Sequence, residues 1–250
     1  IAFELTGFSA NVADFVSLSG NLGFKKSGTD IIAVGTAISA SLSAGGSVSV
    51  SLTGASFGLQ ASATSTVFEL KEGSFSASIT GLGSMSAASV LVRYNASATA
   101  TFTAKTLTVG STSYTFNDDI AANTIAFELT GFQASVADFV SLSGNLGFKK
   151  TGADIIAVGT SISASLSAGG SVSVSLTGAS FGLQASATST VFELKEGSFA
   201  ASITGLGSMS AASVLVRYNA SATTLFTAKT LTVGSSSYTF NSDIAANTIA

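Results

Sequence analysis

Residues 39–52, SASLSAGGSVSVSL, alternate strictly between apolar and hydroxyl side chains. Ile38, Ala40, Leu42 and Ala44 interleave with Ser39, Ser41 and Ser43; after Gly45-Gly46, Val48, Val50 and Leu52 interleave with Ser47, Ser49 and Ser51. Successive side chains of a strand point to opposite faces, so the stretch predicts two strands with one apolar and one hydroxyl face. Ala-Gly-Gly tolerates positive φ and predicts a tight turn between them. Short runs of the same kind fill most of the chain, at residues 15–19, 22–26, 30–34, 67–71, 74–79, 89–94, 100–104, 106–109 and 113–116. Gly20-Asn21 and residues 27–30 predict turns, and Glu72-Gly73 predicts a two-residue hairpin loop. The parity of the pattern changes after Gly54, which predicts a bulge or corner. Helical signal is confined to residues 11–14 and 118–122, each enough for one short turn.

Turns recur about every 8 to 12 residues, the spacing of an all-β sandwich, barrel or meander. The expected fold is all-β, with tandem antiparallel meander or sandwich repeats joined end to end. A β-solenoid is the rival. Ile38, Leu42, Val48, Val50, Leu52, Phe57, Leu59, Phe75, Ile79, Phe102, Leu107, Val109 and Phe116 are expected inside, with their counterparts in the second copy.

That second copy is nearly literal. Ile1 to Phe8 returns as Ile125 to Phe132, and the offset of 124 residues (125 − 1) holds to the end. The division is residues 1–124, residues 125–248, and Ile249-Ala250 as the start of a third repeat. A fixed period is the mark of arrays. The pattern is already running at Ile1, which suggests an interior slice of something longer. The differences between the copies, such as Ser76/Ala200, Thr101/Leu225 and Asp118/Ser242, avoid the expected inward positions Ile38, Leu42, Val48, Val50, Leu52, Phe75 and Ile79.

Charged residues make up 9% of the chain, against about 25% in ordinary domains. The net charge of −3 supplies no basic surface for nucleic acid. No charge falls between Asp30 and Glu69, but every second residue of much of that stretch is polar or small, unlike a spanning helix. The small Ala40, Ala44 and Ala77 also make a poor lipid face for a barrel strand, so no membrane span is expected.

The absence of His and Cys removes Ser-His-Asp and Cys-His catalysis and the usual zinc and copper ligands. Glu4, Glu69 and Glu72 are carboxylates of the kind that hydrolyse glycosides, but each sits in a strand or turn and reads as a solvated strand charge. The chain is therefore expected to be non-catalytic and to need no cofactor. Calcium is the one candidate ion, since it takes oxygen ligands. Asn117, Asp119 and Asp14 could hold it, with Asn241, Asp243 and Asp138 in the second copy; turn capping by Asn and Asp is the simpler reading. Asn95-Ala-Ser97 matches a glycosylation sequon and equally suits a hairpin loop. Residues 81–84, Gly-Leu-Gly-Ser, read as a strand turn rather than a phosphate loop. Ser47, Ser49, Ser51, Thr101 and Thr103 form short hydroxyl ladders of the type that contact a crystal lattice, although Leu225 replaces the second Thr101.

Residues 15–24 (FVSLSGNLGF), the Ala-Gly-Gly turn and residues 52–59 (LTGASFGL) resemble the tandem repeats of giant secreted bacterial surface proteins of the adhesin and matrix type. The resemblance spans the whole repeat and rests on composition. It implies an extracellular, structural or adhesive role and supplies no catalytic residues. The low Asp content departs from the calcium-rigidified members of that class. The expected function is a structural repeat of an extracellular filament or long cell-surface protein, assembling head to tail with neighbouring repeats or copies of itself. The alternative is an adhesive module whose loops bind a surface glycan or protein.

Overall fold

A computed structural model describes residues 1–12, 15–137 and 139–250. The chain forms two compact units, Ile1–Phe127 and Glu128–Ala250. Among the described residues there is strand, turn and irregular chain but no helix, and so none long and apolar enough to cross a membrane. Residues 11 and 12 belong to a strand, residues 13 and 14 lie outside the described residues, and residues 118–122 contain a bend, an isolated bridge and the start of a turn.

In the first unit β1 (Ala2–Val12), β2 (Val16–Ser27), β3 (Asp30–Ala44), β4 (Val48–Ala61) and β5 (Thr66–Ile79) follow one another as antiparallel neighbours. The far half of β5 pairs with β6 (Gly83–Ala87) and its near half with β7 (Ser89–Asn95). The resulting meander is crossed on one face by a separate hairpin, β8 (Thr106–Val109) and β9 (Thr112–Thr115). β10 (Thr124–Val136) runs across the boundary between units. In the second unit β11 (Val140–Thr151), β12 (Asp154–Ala168), β13 (Val172–Ala185) and β14 (Thr190–Ile203) repeat the meander. β15 (Gly207–Ala211) and β16 (Val214–Asn219) divide β14 between them, and β17 (Thr230–Val233) pairs with β18 (Ser236–Thr239) as the crossing hairpin. β19 (Thr248–Ile249) lies antiparallel to β16.

The antiparallel meander is the expected one, and the second layer is a two-stranded sheet. Gly45 and Gly46 turn β3 into β4 with φ of 57° and 68°. Glu72-Gly73 departs from expectation: β5 runs straight through both residues, with φ of 66° and 69°, opposite Gly54-Ala55. Two successive positive φ values suit a tight hairpin or a coil within a strand, and the facing Gly54, itself at φ 73°, makes it the second. Gly20 likewise lies within β2, opposite an extra residue of β3 at Ala37.

Register sorts the side chains onto two faces. Glu4, Gly23, Val34, Gly58, Glu69 and Arg93 share one rung on the hairpin face. There Val34 and Val67 pack with Leu107, Val109, Tyr114, Phe116 and Ile120 into the core. Beyond the hairpin the same face carries the serines. Ser17, Ser41, Ser51, Ser76 and Ser86 form one rung across successive strands. The opposite face is apolar along its length and is open. Burial was therefore expected correctly at Ile38, Leu107, Val109 and Phe116. It fails at Val50 and Ile79, 38% and 46% exposed, because they lie on the open face. Leu42, Val48, Leu52, Phe57, Leu59, Phe75 and Phe102 are half-buried.

Candidate functional site: the carboxylates beneath the hairpin

Gly23 and Gly58 leave the floor of the hairpin face bare. A Cβ on Gly58 would lie 2.4 Å from the Tyr114 ring and 2.8 Å from Phe116; one on Gly23 would lie 2.8 Å from Val109. The hairpin thus lies directly on the backbone of the meander, and the carboxylates on either side of this strip reach up to hold it.

Glu69 is wholly buried. Its carboxylate accepts from the Tyr114 hydroxyl at 2.8 Å and from Arg93 Nε at 2.5 Å. The Arg93 Nη2 donates in turn to the exposed Asp118 at 2.6 Å. Burial works to lower the Arg93 pKa, but hydrogen bonds to Asp118 and Glu69 and the charges of both outweigh it and leave the pKa raised. Burial pushes the Tyr114 hydroxyl well above its ordinary range, and the charge of Glu69 pushes the same way. Arg93 therefore stays a guanidinium and Tyr114 a neutral phenol. In the second unit Glu193 accepts from Tyr238 at 2.7 Å and from Arg217 at 2.6 Å, and the Arg217 Nη2 donates to Ser242 at 2.7 Å. Ser242 replaces Asp118 as the outer acceptor, so the arginine stays paired in both copies. Lys71 donates to the Thr115 carbonyl at 2.7 Å and lies 4.9 Å from the centre of the Tyr114 ring, adding a cation above an electron-rich face.

Glu4 holds the other end of the hairpin. It accepts from the Ser111 hydroxyl at 2.7 Å, the Ser111 N–H at 3.0 Å and the Thr112 hydroxyl at 2.7 Å. These bonds, the Ser111 hydroxyl foremost, lower its pKa from 4.5 to about 2. A carboxylate with a folded pKa below its unfolded value contributes stability above the unfolded value and loses it as pH falls through the folded one. The urea midpoint of the first unit is expected to drop between pH 4.5 and pH 2, and Glu4→Gln to flatten that drop. An identical acid profile in the variant would show that Glu4 does not anchor the turn. Glu128 makes the same contacts with Ser235 and Ser236 in the second unit.

The expectation that Glu4, Glu69 and Glu72 are solvated strand charges thus fails at Glu69. Nor are Glu4 and Glu69 a hydrolytic pair. They lie four strand spacings apart on one rung, about 19 Å at about 4.8 Å per strand, beyond the roughly 5–9.5 Å that glycosidase carboxylates need.

Asn95, the sequon residue, is buried. Its amide donates to the carbonyls of Ala100 at 3.0 Å and Ile120 at 2.8 Å, and its oxygen accepts from the Ser97 N–H at 3.0 Å. It locks the loop leading into the hairpin and offers no accessible nitrogen for a glycan.

Of the residues expected to hold calcium, Asn117 and Asp119 follow β9, and Asp119 accepts from the Ala104 N–H at 2.8 Å. Asp243 does the same with Ala228 at 2.8 Å, and Asn241 occupies the place of Asn117. Asp14 and Asp138 lie outside the described residues. No group of three or more acidic, His or Cys side chains suited to a metal occurs among the described residues.

The serine rungs pair within themselves. Ser17 and Ser41 are 2.6 Å apart, Ser51 and Ser76 2.8 Å, and Ser49 and Ser78 2.9 Å. Ser47 lies in the β3–β4 turn, and Thr101 and Thr103 lie outside the strands. The sequence reading missed Arg93 and Tyr114, and weighed Asn95 only as a sequon or a loop residue. The one signal for the buried cluster was a Glu flanked by apolar residues in Val67-Phe-Glu-Leu-Lys.

Comparison with protein-family models, with curated proteins and with solved structures finds no match to this chain.

Proposed function

We propose that the chain consists of structural, non-catalytic repeats of an extracellular fibre or long cell-surface protein, in which each repeat hands its sheet to the next. One observation carries this. Thr248 and Ile249, which repeat Thr124 and Ile125, enter as a strand on β16, with Asn219 opposite Thr248 and Tyr218 opposite Ile249. Arg217 N–H donates to the Ala250 carbonyl at 2.7 Å, and the Ala250 N–H donates back at 3.0 Å. The opening residues of a repeat thereby occupy the sheet edge left by the repeat before it. Such a contact joins two different surfaces, so it propagates instead of closing. Three further features support the reading. The buried carboxylates are engaged in holding the hairpin, charge is sparse, and the two copies keep the same interior.

The test alters that edge. Removing residues 248–250 should lower the urea midpoint of the second unit, and extending the chain beyond Ala250 with the sequence of residues 127–136 should raise it. Repeats in an array gain stability from neighbours in this way. If neither change moves the midpoint, the repeats are independent beads and the adhesive-module reading takes precedence.

A further inference from the structure

We infer that the open apolar face of each meander is an interface, and that its occupant is the same face of a second copy of this chain. In the first unit register places Phe3, Leu18, Leu22, Phe24, Val50 and Phe57 on this face, opposite the side that carries the hairpin. Phe3 is 50% exposed, Leu18 36% and Val50 38%; among the described residues no element of the unit covers them. The second unit repeats the arrangement at Leu142, Val174 and Tyr218.

Size comes first. Six strands, β1 to β5 and β7, about 4.8 Å apart and about twelve residues long at about 3.3 Å per residue, make a face of roughly 1,100 Å². A standard stable interface needs about 800 Å² per partner, and isolated proteins rarely expose an apolar patch above a few hundred Å².

Charge comes second. Glu4, Glu69, Lys71 and Arg93 all engage the hairpin or its neighbours on the other side. Among the described strand residues of the first unit, register puts two charged residues in step with the open face: Lys26, at its rim opposite Ile31, and Glu72, opposite Ala55, whose carboxylate accepts at 3.2 Å from the hydroxyl of Ser56, a residue of the hairpin face. Two such faces meet without burying a charge.

Relief comes third. On the second unit this face holds a shallow groove of about 350 Å³, lined by Val140, Leu142, Ala164, Leu166, Val174 and Phe199. The small Ala164 leaves the low point between large neighbours. A face with both projecting and recessed positions can interdigitate with itself, as the inner faces of sandwiches do about 10 Å apart. Lipid is the less suited occupant. β3, β4 and β5 run 14 or 15 residues, longer than the about 9–11 of a membrane-spanning strand, and alanines interrupt the face.

This contact is lateral and two-fold, and it does not rest on the end-to-end reading, which uses the edge of β16. The experiment is sedimentation equilibrium of the whole chain over a concentration series. It compares wild type, Val50→Glu with Val174→Glu on the open face, and Ser51→Glu with Ser175→Glu on the serine face. Wild type and the serine variant should be dimers or larger, and the valine variant should dissociate at least tenfold more readily with its β-type circular dichroism intact. Because the chain has no cysteine, Val50→Cys and Ser51→Cys give a second measurement that does not require a charged substitution. A bismaleimide of about 10 Å, matched to the spacing of packed sheets, should join Val50→Cys chains into dimers and leave Ser51→Cys chains single. A monomeric wild type at 200 μM would overturn the inference. So would equal crosslinking at both positions, or a monomer that instead floats with phosphatidylcholine vesicles. Removing residues 248–250 should leave the dimer in place, so loss of end-to-end continuity and loss of this interface are read separately.

Discussion

Glu69→Ala is expected to destabilise the first unit by about 3–5 kcal/mol, the usual cost of removing one partner of a buried ion pair. The substitution does more than delete a bond. Glu69 is the sole charge wholly enclosed beneath the hairpin of the first unit among the described residues, and it joins a strand of the meander to both Arg93 and Tyr114. Without it the Arg93 guanidinium keeps Asp118 on its exposed side but faces an apolar floor on the other. The Tyr114 hydroxyl is left buried with no acceptor, and the unpaired group carries its desolvation cost. Urea unfolding followed by tyrosine fluorescence measures the loss. Tyr114→Phe alone should cost only about 1–2 kcal/mol, since a neutral donor leaves and the Arg93–Glu69 pair remains. A double-mutant cycle should then show coupling between positions 69 and 114. A Glu69→Ala midpoint within error of wild type would mean that the hairpin is held by apolar packing alone.

How much of this was readable before the structure depends on whether a feature is local. The Ser and Val alternation around Gly45-Gly46 fixes two strands and their turn within fourteen residues, and both formed as expected. Glu72-Gly73 was misread because its signal, two residues that accept positive φ, is shared by hairpin loops and by strand coils. What distinguishes them is Gly54 on the neighbouring strand, and that partner is known only once register is known. The buried cluster is harder still. Glu69 and Arg93 meet because they fall on one rung of β5 and β7, and Tyr114 reaches them from a separate hairpin 45 residues away. No periodicity in the sequence encodes that approach. The open face shows the opposite limit. Its alternation was read correctly, but burial was inferred from apolarity, and a sheet with one covered face leaves half its apolar positions in solvent. Val50 and Ile79 obey the pattern and still lie exposed.

Gly58→Leu should expel the hairpin from the meander. The backbone at Gly58 lies in the ordinary strand region, so the glycine is there for space and not for φ. Its added Cβ would come within 2.4 Å of Tyr114 and 2.8 Å of Phe116, and the same position in the second unit, Gly182, would meet Tyr238 at 2.3 Å and Phe240 at 2.9 Å. These rings are already fixed against one another edge to face, with centroids 5.1 Å apart for Tyr114 and Phe116, and Phe116 also meets Phe102 at 4.8 Å. They have no free side into which to move. Overpacking a well-filled core costs about 1–3 kcal/mol where neighbours can shift; here the obstacle is a ring pair backed by Ile120 and Val67, so the upper end or beyond is expected. Lifting the hairpin would also break the bonds of Glu69 to Tyr114 and of Glu4 to Ser111, which makes the loss cooperative. The meander strands pair without the hairpin, so far-UV circular dichroism should keep most of its β signal while the near-UV signal of the tyrosines collapses. Gly58→Ala should show a milder form of the same change. A Gly58→Leu chain with native near-UV signal and midpoint would refute the direct seating of the hairpin on the strand backbone.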